Sequence, residues 1–233
     1  MTFDELINEL KKININLNEE QQRQIKEYAT FLLEYNKHTN LTAIRDINDC
    51  YLKHFYDSLT IVNYIDLNKY NNILDIGTGA GFPGLVLKIV YPKLNVTLLD
   101  SNNKKVSFLK EISSKLEIDV TIINDRAENY IKNNREAFDI VVSRAVASLP
   151  VLLELTIPFV KVNGYFISMK GNAQEELEIS KNTHSILGAK IDSINEFKLI
   201  KEQSNRTIII YKKEKETDNK YPRIYDKIIK KHL

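Results

Sequence analysis

Asp75-Ile-Gly77-Thr-Gly79-Ala-Gly81-Phe-Pro-Gly84 is the stretch on which the fold turns. It follows a short apolar run, NILDIG (72–77), and leads into GLVLKIVYP (84–92), which reads as a helix stopped at Pro92. Strand, glycine turn and helix in that order are the opening of a ligand-binding βα unit. Glycine lets the backbone enter positive φ and lets a ligand come close to it.

Outward from this loop the texture repeats. NVTLLD (95–100) reads as a strand ending in an acid, Lys104–Leu116 as an amphipathic helix, and VTIIND (120–125) and FDIVVSRA (138–145) as strands. VLLELTIPFVKVNG (151–164) reads as a helix ending at Gly164, YFISMKG (165–171) as a strand and Gln174–Leu187 as a helix. KIDSINEFKL (190–199) and RTIIIYKK (206–213) are expected to pair antiparallel. The alternation predicts an α/β fold with a mostly parallel sheet and right-handed crossovers. Strands buried on both faces explain the continuous apolar runs. Residues 1–66 read as helical. Thr2 with Glu5 forms a capping box, Asn18 caps the stripe Ile25, Tyr28, Leu32, Tyr35, and Ile47–Ile65 has the same character. YNKHTNLTAIRD (35–46) reads as a loop between them. A boundary near residue 67 is expected, with a helical extension over 1–66 and the α/β body over 67–233.

Composition narrows the class. The chain has 233 residues, 43% hydrophobic, with 7 Gly and 5 Pro, which excludes collagen-like and low-complexity chains. The single cysteine, Cys50, allows no internal disulfide, and the four histidines show no metal spacing. The start, MTFDELINELKK, lacks the regions of a signal peptide, and no apolar run approaches the ~18 residues of a membrane span. The cytoplasm is the expected location. Net charge is +2, unevenly spread: residues 1–66 hold 7 basic and 11 acidic side chains, residues 211–233 hold 8 and 4. A basic tail on a near-neutral body fits either a polyanionic partner or a solvated end.

Two cofactors compete for the glycine loop. Gly79-Ala-Gly81-Phe-Pro-Gly84 matches the dinucleotide fingerprint G-x-G-x-x-G, but that fingerprint begins at the strand's end. Read from Gly77, its third glycine falls on Phe82, too bulky for close helix–strand packing at a pyrophosphate. Acid-x-Gly-x-Gly-x-Gly fits from Asp75 through Gly77, Gly79 and Gly81, and is the loop typical of S-adenosylmethionine (SAM) enzymes. Asp100, beside Ser101 at the end of the next strand, can accept both ribose hydroxyls or cap the following helix. Asp125, Ala127 and Glu128 follow the third strand, in the loop that borders adenine in SAM folds. Arg144 ends the fourth strand. Ligands of open α/β sheets lie outside the carboxyl ends of the strands, where all these residues converge.

Other chemistry is missing. No Asn-Pro-Pro-Tyr-type motif follows the fourth strand, and nothing places Cys50 as a nucleophile. An acceptor with a free lone pair, such as guanine N7, needs neither base nor covalent catalyst.

With these residues in view, the chain resembles the small-subunit (16S) ribosomal RNA guanine-N7 methyltransferase family, also called glucose-inhibited division protein B. The resemblance runs through YNKHTNLTAIRD, HFYDSL (54–59), DIGTGAGFPG, LLDSNNKKVSFL (98–109), RAE (126–128), SRAVASLP (143–150), MKG (169–171) and YPR (221–223). It implies a class I SAM-dependent methyltransferase fold, Rossmann-like, with a seven-stranded sheet and a helical N-terminal extension. It implies methyl transfer from SAM to N7 of a guanine in 16S rRNA, with the small ribosomal subunit or its precursor as partner. It places Gly77 and Phe82 at the cofactor, Ala127 and Glu128 beside adenine, and Arg144 as the catalytic-pocket residue. In one departure, the family's usual Arg in the run after Asp100 is Lys105.

Arg45, Lys53, Lys170, Arg206 and Arg223, with Arg144, are the candidates for a basic rim that binds RNA phosphates. Tyr35, Phe55, Tyr56 and Phe82 either stack on a splayed base or pack in the core, and core packing is favoured for the first three. No metal and no membrane are expected, and a monomer is. Two other functions remain open here: a SAM-dependent enzyme acting on a small molecule or protein, and a non-catalytic ribosome-binding factor with a vestigial loop.

Overall fold

The computed structural model describes residues 1–233. α1 (Phe3–Lys12) and α2 (Glu19–Thr39) both open with the caps expected of them. The Thr2 hydroxyl accepts from the Glu5 amide while the Glu5 carboxylate accepts from the Thr2 amide, and Asn18 and Gln21 do the same. Each box satisfies two backbone donors that a helix end leaves open.

Residues 35–39, read as loop, are instead the last turns of α2, which ends with Asn40 in the left-handed conformation at φ 53°. Their polarity has a local cause. Asn36 is 1% exposed; its Nδ2 donates to the Thr42 and Ile44 carbonyls at 2.9 and 3.1 Å, and its Oδ1 accepts from the Thr42 amide at 3.0 Å. A buried amide thus folds the 40–46 loop back onto its own helix. Ile47–Asn63 is helical but irregular: α3 (Ile47–Cys50), a π-helical turn (Tyr51–Tyr56), α4 (Asp57–Leu59) and a 3-10 turn (Thr60–Asn63).

From there strands and helices alternate: β1 (Asn72–Ile76), α5 (Gly84–Val90), β2 (Asn95–Asp100), α6 (Asn103–Lys115), β3 (Thr121–Asn124), α7 (Ala127–Tyr130), β4 (Phe138–Arg144) and α8 (Leu149–Thr156). The remainder is β5 (Val160–Lys170), α9 (Gln174–Ile179), α10 (Thr183–Ile186), β6 (Ala189–Lys198), β7 (Asn205–Lys213) and α11 (Tyr225–Lys230). The seven strands form one sheet in the order β3-β2-β1-β4-β5-β7-β6. Pairs β2/β3, β1/β4 and β4/β5 are parallel, while β7 runs antiparallel both to β5 and to β6, the latter being the pair expected from the sequence. β6 alternates half-buried and exposed residues, and its Lys190, Asp192, Glu196 and Lys198 keep the sheet's edge from recruiting another strand.

The apolar run 151–164 is not the single helix expected of it. α8 stops at Thr156, a 3-10 turn covers Ile157–Phe159, and 160–164 already belong to β5. Pro158 disfavours helix at the residue before it, and the valines beyond it suit a strand. Gly164 is not a helix stop. A Cβ there would lie 2.5 Å from the Asp139 carbonyl oxygen, so the strand requires glycine for close approach.

The chain divides into two compact units, Met1–Asn71 with Thr78–Asn124, and Asn72–Gly77 with Asp125–Leu233. In the first, α2 supplies polar side chains to the ends of its neighbours. Gln21 Nε2 donates to the Ile89 and Val90 carbonyls at the end of α5, at 2.9 and 3.1 Å, and Gln24 Nε2 to Leu116 after α6, at 3.0 Å. These satisfy carbonyls that a helix C-terminus leaves open.

In the second unit, two buried charges organise the segment after β7. Lys213 Nζ, 1% exposed as a residue, donates to the Ile157 carbonyl at 3.1 Å and the Thr217 hydroxyl at 2.6 Å and pairs with Glu136 at 3.2 Å; burial pushes its pKa down. Glu154, 0% exposed within the apolar α8, accepts from the Arg223 backbone N–H at 2.8 Å, from its Nε at 2.8 Å and from its Nη2 at 2.6 Å. Removing the arginine leaves a carboxylate buried without its partner. Arg223→Ala should cost about 3 kcal/mol and lower the melting temperature by roughly 10 °C. Arg223→Met combined with Glu154→Leu should lose far less, and thermal melts of the two variants check both expectations.

Candidate functional site

The loop after β1 is shaped by three glycines with left-handed backbone, Gly77, Gly79 and Gly81, at φ +67, +61 and +95°. Side chains on Cβ strain this conformation by roughly 1–2 kcal/mol per residue. Packing adds a second reason at two of them. A Cβ on Gly77 would sit 2.6 Å from Val146 Cγ2, and one on Gly81 would collide with the Tyr28 hydroxyl. Internal hydrogen bonds close the loop: the Thr78 amide donates to the Leu99 carbonyl at 3.2 Å, and the Gly81 and Phe82 amides to the Thr78 carbonyl at 2.9 and 3.0 Å.

Asp100, at the end of β2, is 6% exposed and holds the loop directly. Its Oδ2 accepts from the Gly79 amide and its Oδ1 from the Asn102 amide, both at 2.9 Å, with Lys105 Nζ 3.6 Å away. A carboxylate has about four acceptor sites, so two remain for the hydroxyls of a diol. Glycines that admit close approach, together with a fixed carboxylate holding spare acceptor capacity, fit the sugar and the amino-acid end of SAM. Helix capping, the alternative for Asp100 on sequence grounds, falls to Asn102 instead, and Asp100 is left to the glycine loop and the Asn102 amide.

Phe82 is 4% exposed and stacks with two nearly parallel rings, Tyr28 at 5.2 Å and His54 at 4.4 Å between centroids, with Phe55 edge-on at 5.6 Å. So buried and so packed, Phe82 has no open face to offer a splayed base. The Tyr28 hydroxyl also donates to the Ala80 carbonyl, and His54 Nε2 lies 3.0 Å from the Thr42 hydroxyl. Phe55 and Tyr56 are buried and Tyr35 Oη donates to Glu111 at 3.1 Å, in keeping with packing roles. Desolvation, then Glu111, raises the Tyr35 pKa.

The other strand ends carry the remaining candidates. Asp75 is fully buried in β1, and Ser101 is exposed after β2. The Asp125 carboxylate accepts from the Arg126 amide at 2.7 Å and Asn129 Nδ2 at 3.1 Å. Ala127 is buried at the start of α7, and Glu128 pairs with Arg126 at 3.1 Å. The Arg126 guanidinium in turn lies over the Tyr225 ring at 5.2 Å. Arg144, half-buried, ends β4 opposite Met169, just after Ser143, whose hydroxyl donates to the Ile76 carbonyl at 2.9 Å. That bond ties the end of β4 to the end of β1.

The five cations expected at an RNA rim all have protein partners. In the first unit Arg45 is exposed and bonds the Thr42 carbonyl and Asn40 Oδ1, and Lys53 pairs with Asp49 at 3.2 Å. In the second, Arg206 bonds Ser204 Oγ at 2.9 Å with Glu202 4.0 Å away, Arg223 is held by Glu154, and Lys170 pairs with Glu176 at 2.8 Å. No three His, Cys, Asp or Glu side chains gather to hold a metal, and no helix is long and apolar enough to cross a membrane.

Sequence reasoning missed Tyr28 and His54. Tyr28 was one more residue of an apolar stripe, and His54 stood in HFYDSL without a partner in view. Glu154 did carry a signal: a lone acid in the apolar run VLLELTIPF needs a buried partner.

Comparison with known proteins agrees with this architecture. A family model described as rRNA small subunit methyltransferase G matches residues 21–209. Ribosomal RNA small subunit methyltransferase G of Oceanobacillus iheyensis is 47% identical over 227 residues, covering 96% of this chain and 95% of that protein. Its counterpart in Bacillus subtilis is 44% identical over the same length and shares. Among solved structures, a Klebsiella pneumoniae protein provisionally described as an O-methyltransferase aligns over 90% of this chain and 96% of its own, with TM-score 0.58 at 15% identity. A Listeria monocytogenes protein provisionally described as a class I SAM-dependent methyltransferase aligns over 82% and 69%, with TM-score 0.57 at 16% identity. The structural likeness shows the class I methyltransferase fold, and the sequence matches go further: the chain belongs to the rRNA small subunit methyltransferase G family.

Proposed function

We propose that the protein methylates N7 of one guanine in 16S rRNA, using SAM, in the bacterial cytoplasm, as a monomer acting on the small ribosomal subunit or its precursor. The observation that carries this reading is the near full-length match to rRNA methyltransferases, joined to a glycine loop held by Asp100.

SAM supplies an electrophilic methyl group on a sulfonium when bound. Everything else falls to the chain. Gly77, Gly79 and Gly81 let backbone approach the methionine end, Asp75 flanks it, and Asp100 accepts the ribose hydroxyls, with Ser101 beside it. Asp125, Ala127 and Glu128 border the adenine. Guanine N7 is unprotonated at neutral pH, so no proton has to leave before attack and no general base is required. The rate gain comes from alignment, which supplies roughly 7–11 kcal/mol in well-oriented reactions. Arg144, at the end of β4, orients the acceptor. Arg45, Lys53, Arg206 and Arg223 contribute positive field for the RNA, although phosphates must compete with the carboxylates that Lys53, Arg206 and Arg223 already face.

Mass mapping of 16S rRNA from cells with and without this chain should reveal one 7-methylguanine that disappears; an unchanged map defeats the reading. Arg144→Ala should lower turnover by about 10²-fold while the far-UV circular dichroism is unchanged. Gly79→Val, which forces a branched side chain into φ +61°, should abolish SAM binding measured by calorimetry.

A further inference from the structure

Lys170 ends β5 in the segment Met169-Lys-Gly, and its sequence context suggests a rim cation. Its surroundings do not. The side chain is 9% exposed, its ammonium pairs with Glu176 at 2.8 Å, and it donates to the Ala147 carbonyl. The same Glu176 carboxylate accepts from the Leu149 amide at 2.5 Å. Leu149 opens α8, and Ser148 before it makes no side-chain cap, so the capping acceptor comes from α9 instead.

These two anchors, the Ala147 carbonyl and the Leu149 amide, flank Ser148 and close the segment 145–148 that follows β4. Ala145 turns the chain at φ +54°, and Val146 follows with its side chain against Gly77, close enough that Gly77 tolerates no Cβ. Ala147 is the residue whose carbonyl Lys170 holds. The tether therefore runs from Lys170 and Glu176, through the backbone on both sides of Ser148, to the first glycine of the cofactor loop.

We propose that Lys170 is a positioning residue rather than an RNA contact: with Glu176 it locks residues 145–149 so that Val146 fixes Gly77 in its cofactor-binding conformation. The inference rests on the assignment of the Gly77 loop to SAM. A lysine so enclosed, with an ammonium already bound to a carboxylate and a carbonyl, presents little charge to a phosphate. A hydrogen bond to the carbonyl of Ala147, the residue next to the Val146 that meets Gly77, is instead well placed to set that loop's geometry.

The test compares SAM affinity by titration calorimetry, without RNA, in the wild type and in Lys170→Met, Glu176→Ala, their double variant, Lys170→Arg and Val146→Ala. The salt dependence of small-subunit binding is measured on the same proteins. Lys170→Met and Glu176→Ala should each weaken SAM binding about tenfold, the double variant should be no worse than the worse single, and Lys170→Arg should stay within about twofold of wild type. Val146→Ala, at an exposed position, should weaken SAM binding severalfold, and it keeps the idea open to refutation if the lysine variant fails to fold. The slope of log affinity against log salt should be unchanged throughout. Lys170→Met with unaltered SAM affinity and a slope reduced by about one would make Lys170 an RNA contact and overturn the inference. So would Glu176→Ala or Val146→Ala binding SAM like wild type. A wild type that binds no SAM removes the cofactor reading and the inference together; a wild type that binds SAM but leaves 16S rRNA unmethylated removes only the substrate reading.

Discussion

The glycine loop after β1 must hold three left-handed residues within five positions, and the first unit is arranged around keeping it there. An unsupported run of glycines is the most flexible backbone available, since glycine loses more conformational freedom on ordering than any other residue. The loop is therefore fixed from outside. Asp100 holds the Gly79 amide, the Tyr28 hydroxyl holds the Ala80 carbonyl, and Phe82 stacks with Tyr28 and His54. Aromatic pairs contribute about 0.5–1.5 kcal/mol each beyond burial, so the three rings around Phe82 are of the size needed to order such a loop.

This gives the N-terminal helices a part in shaping the glycine loop. Tyr28 comes from α2 and His54 from the π-helical turn between α3 and α4. His54 also meets Thr42, in the loop that Asn36 folds back onto α2. The motifs around residues 36–46 and 54–59 are thus explained by the support they give to the Thr78–Pro83 segment.

The second unit solves a different problem with the same means. Its terminal segment has few apolar residues, and it is fixed by burying charge with matched partners. Glu154 receives three donors from Arg223, and Lys213 meets a carbonyl, a hydroxyl and Glu136. Breaking such pairs is costly because a charge is left in a poorly solvated place. YPR is in this light a structural clasp on α8.

The sequence by itself determined the α/β class, the parallel strands, the antiparallel closing pair, the Thr2–Glu5 capping box, the Asn18 cap and the glycine turn after β1. These rest on local periodicity, on caps a few residues apart and on glycine's conformational freedom, all of which are written in neighbouring residues. It failed where a residue's meaning depended on a partner reached only by a turn of the chain or by packing. Residues 35–39 looked like loop because Asn36 is polar, yet that polarity serves a buried clasp. The run 151–164 looked like one helix because apolar density does not distinguish helix from buried strand, and Pro158 marks the change. Lys170 looked like a surface cation because charge is legible in sequence, whereas burial and a carboxylate 2.8 Å away are not. Only tertiary structure brings a lysine at the end of one strand to a glutamate on the next helix, six residues on, because how the chain turns between two elements is decided by their packing, not by the order of residues along the chain.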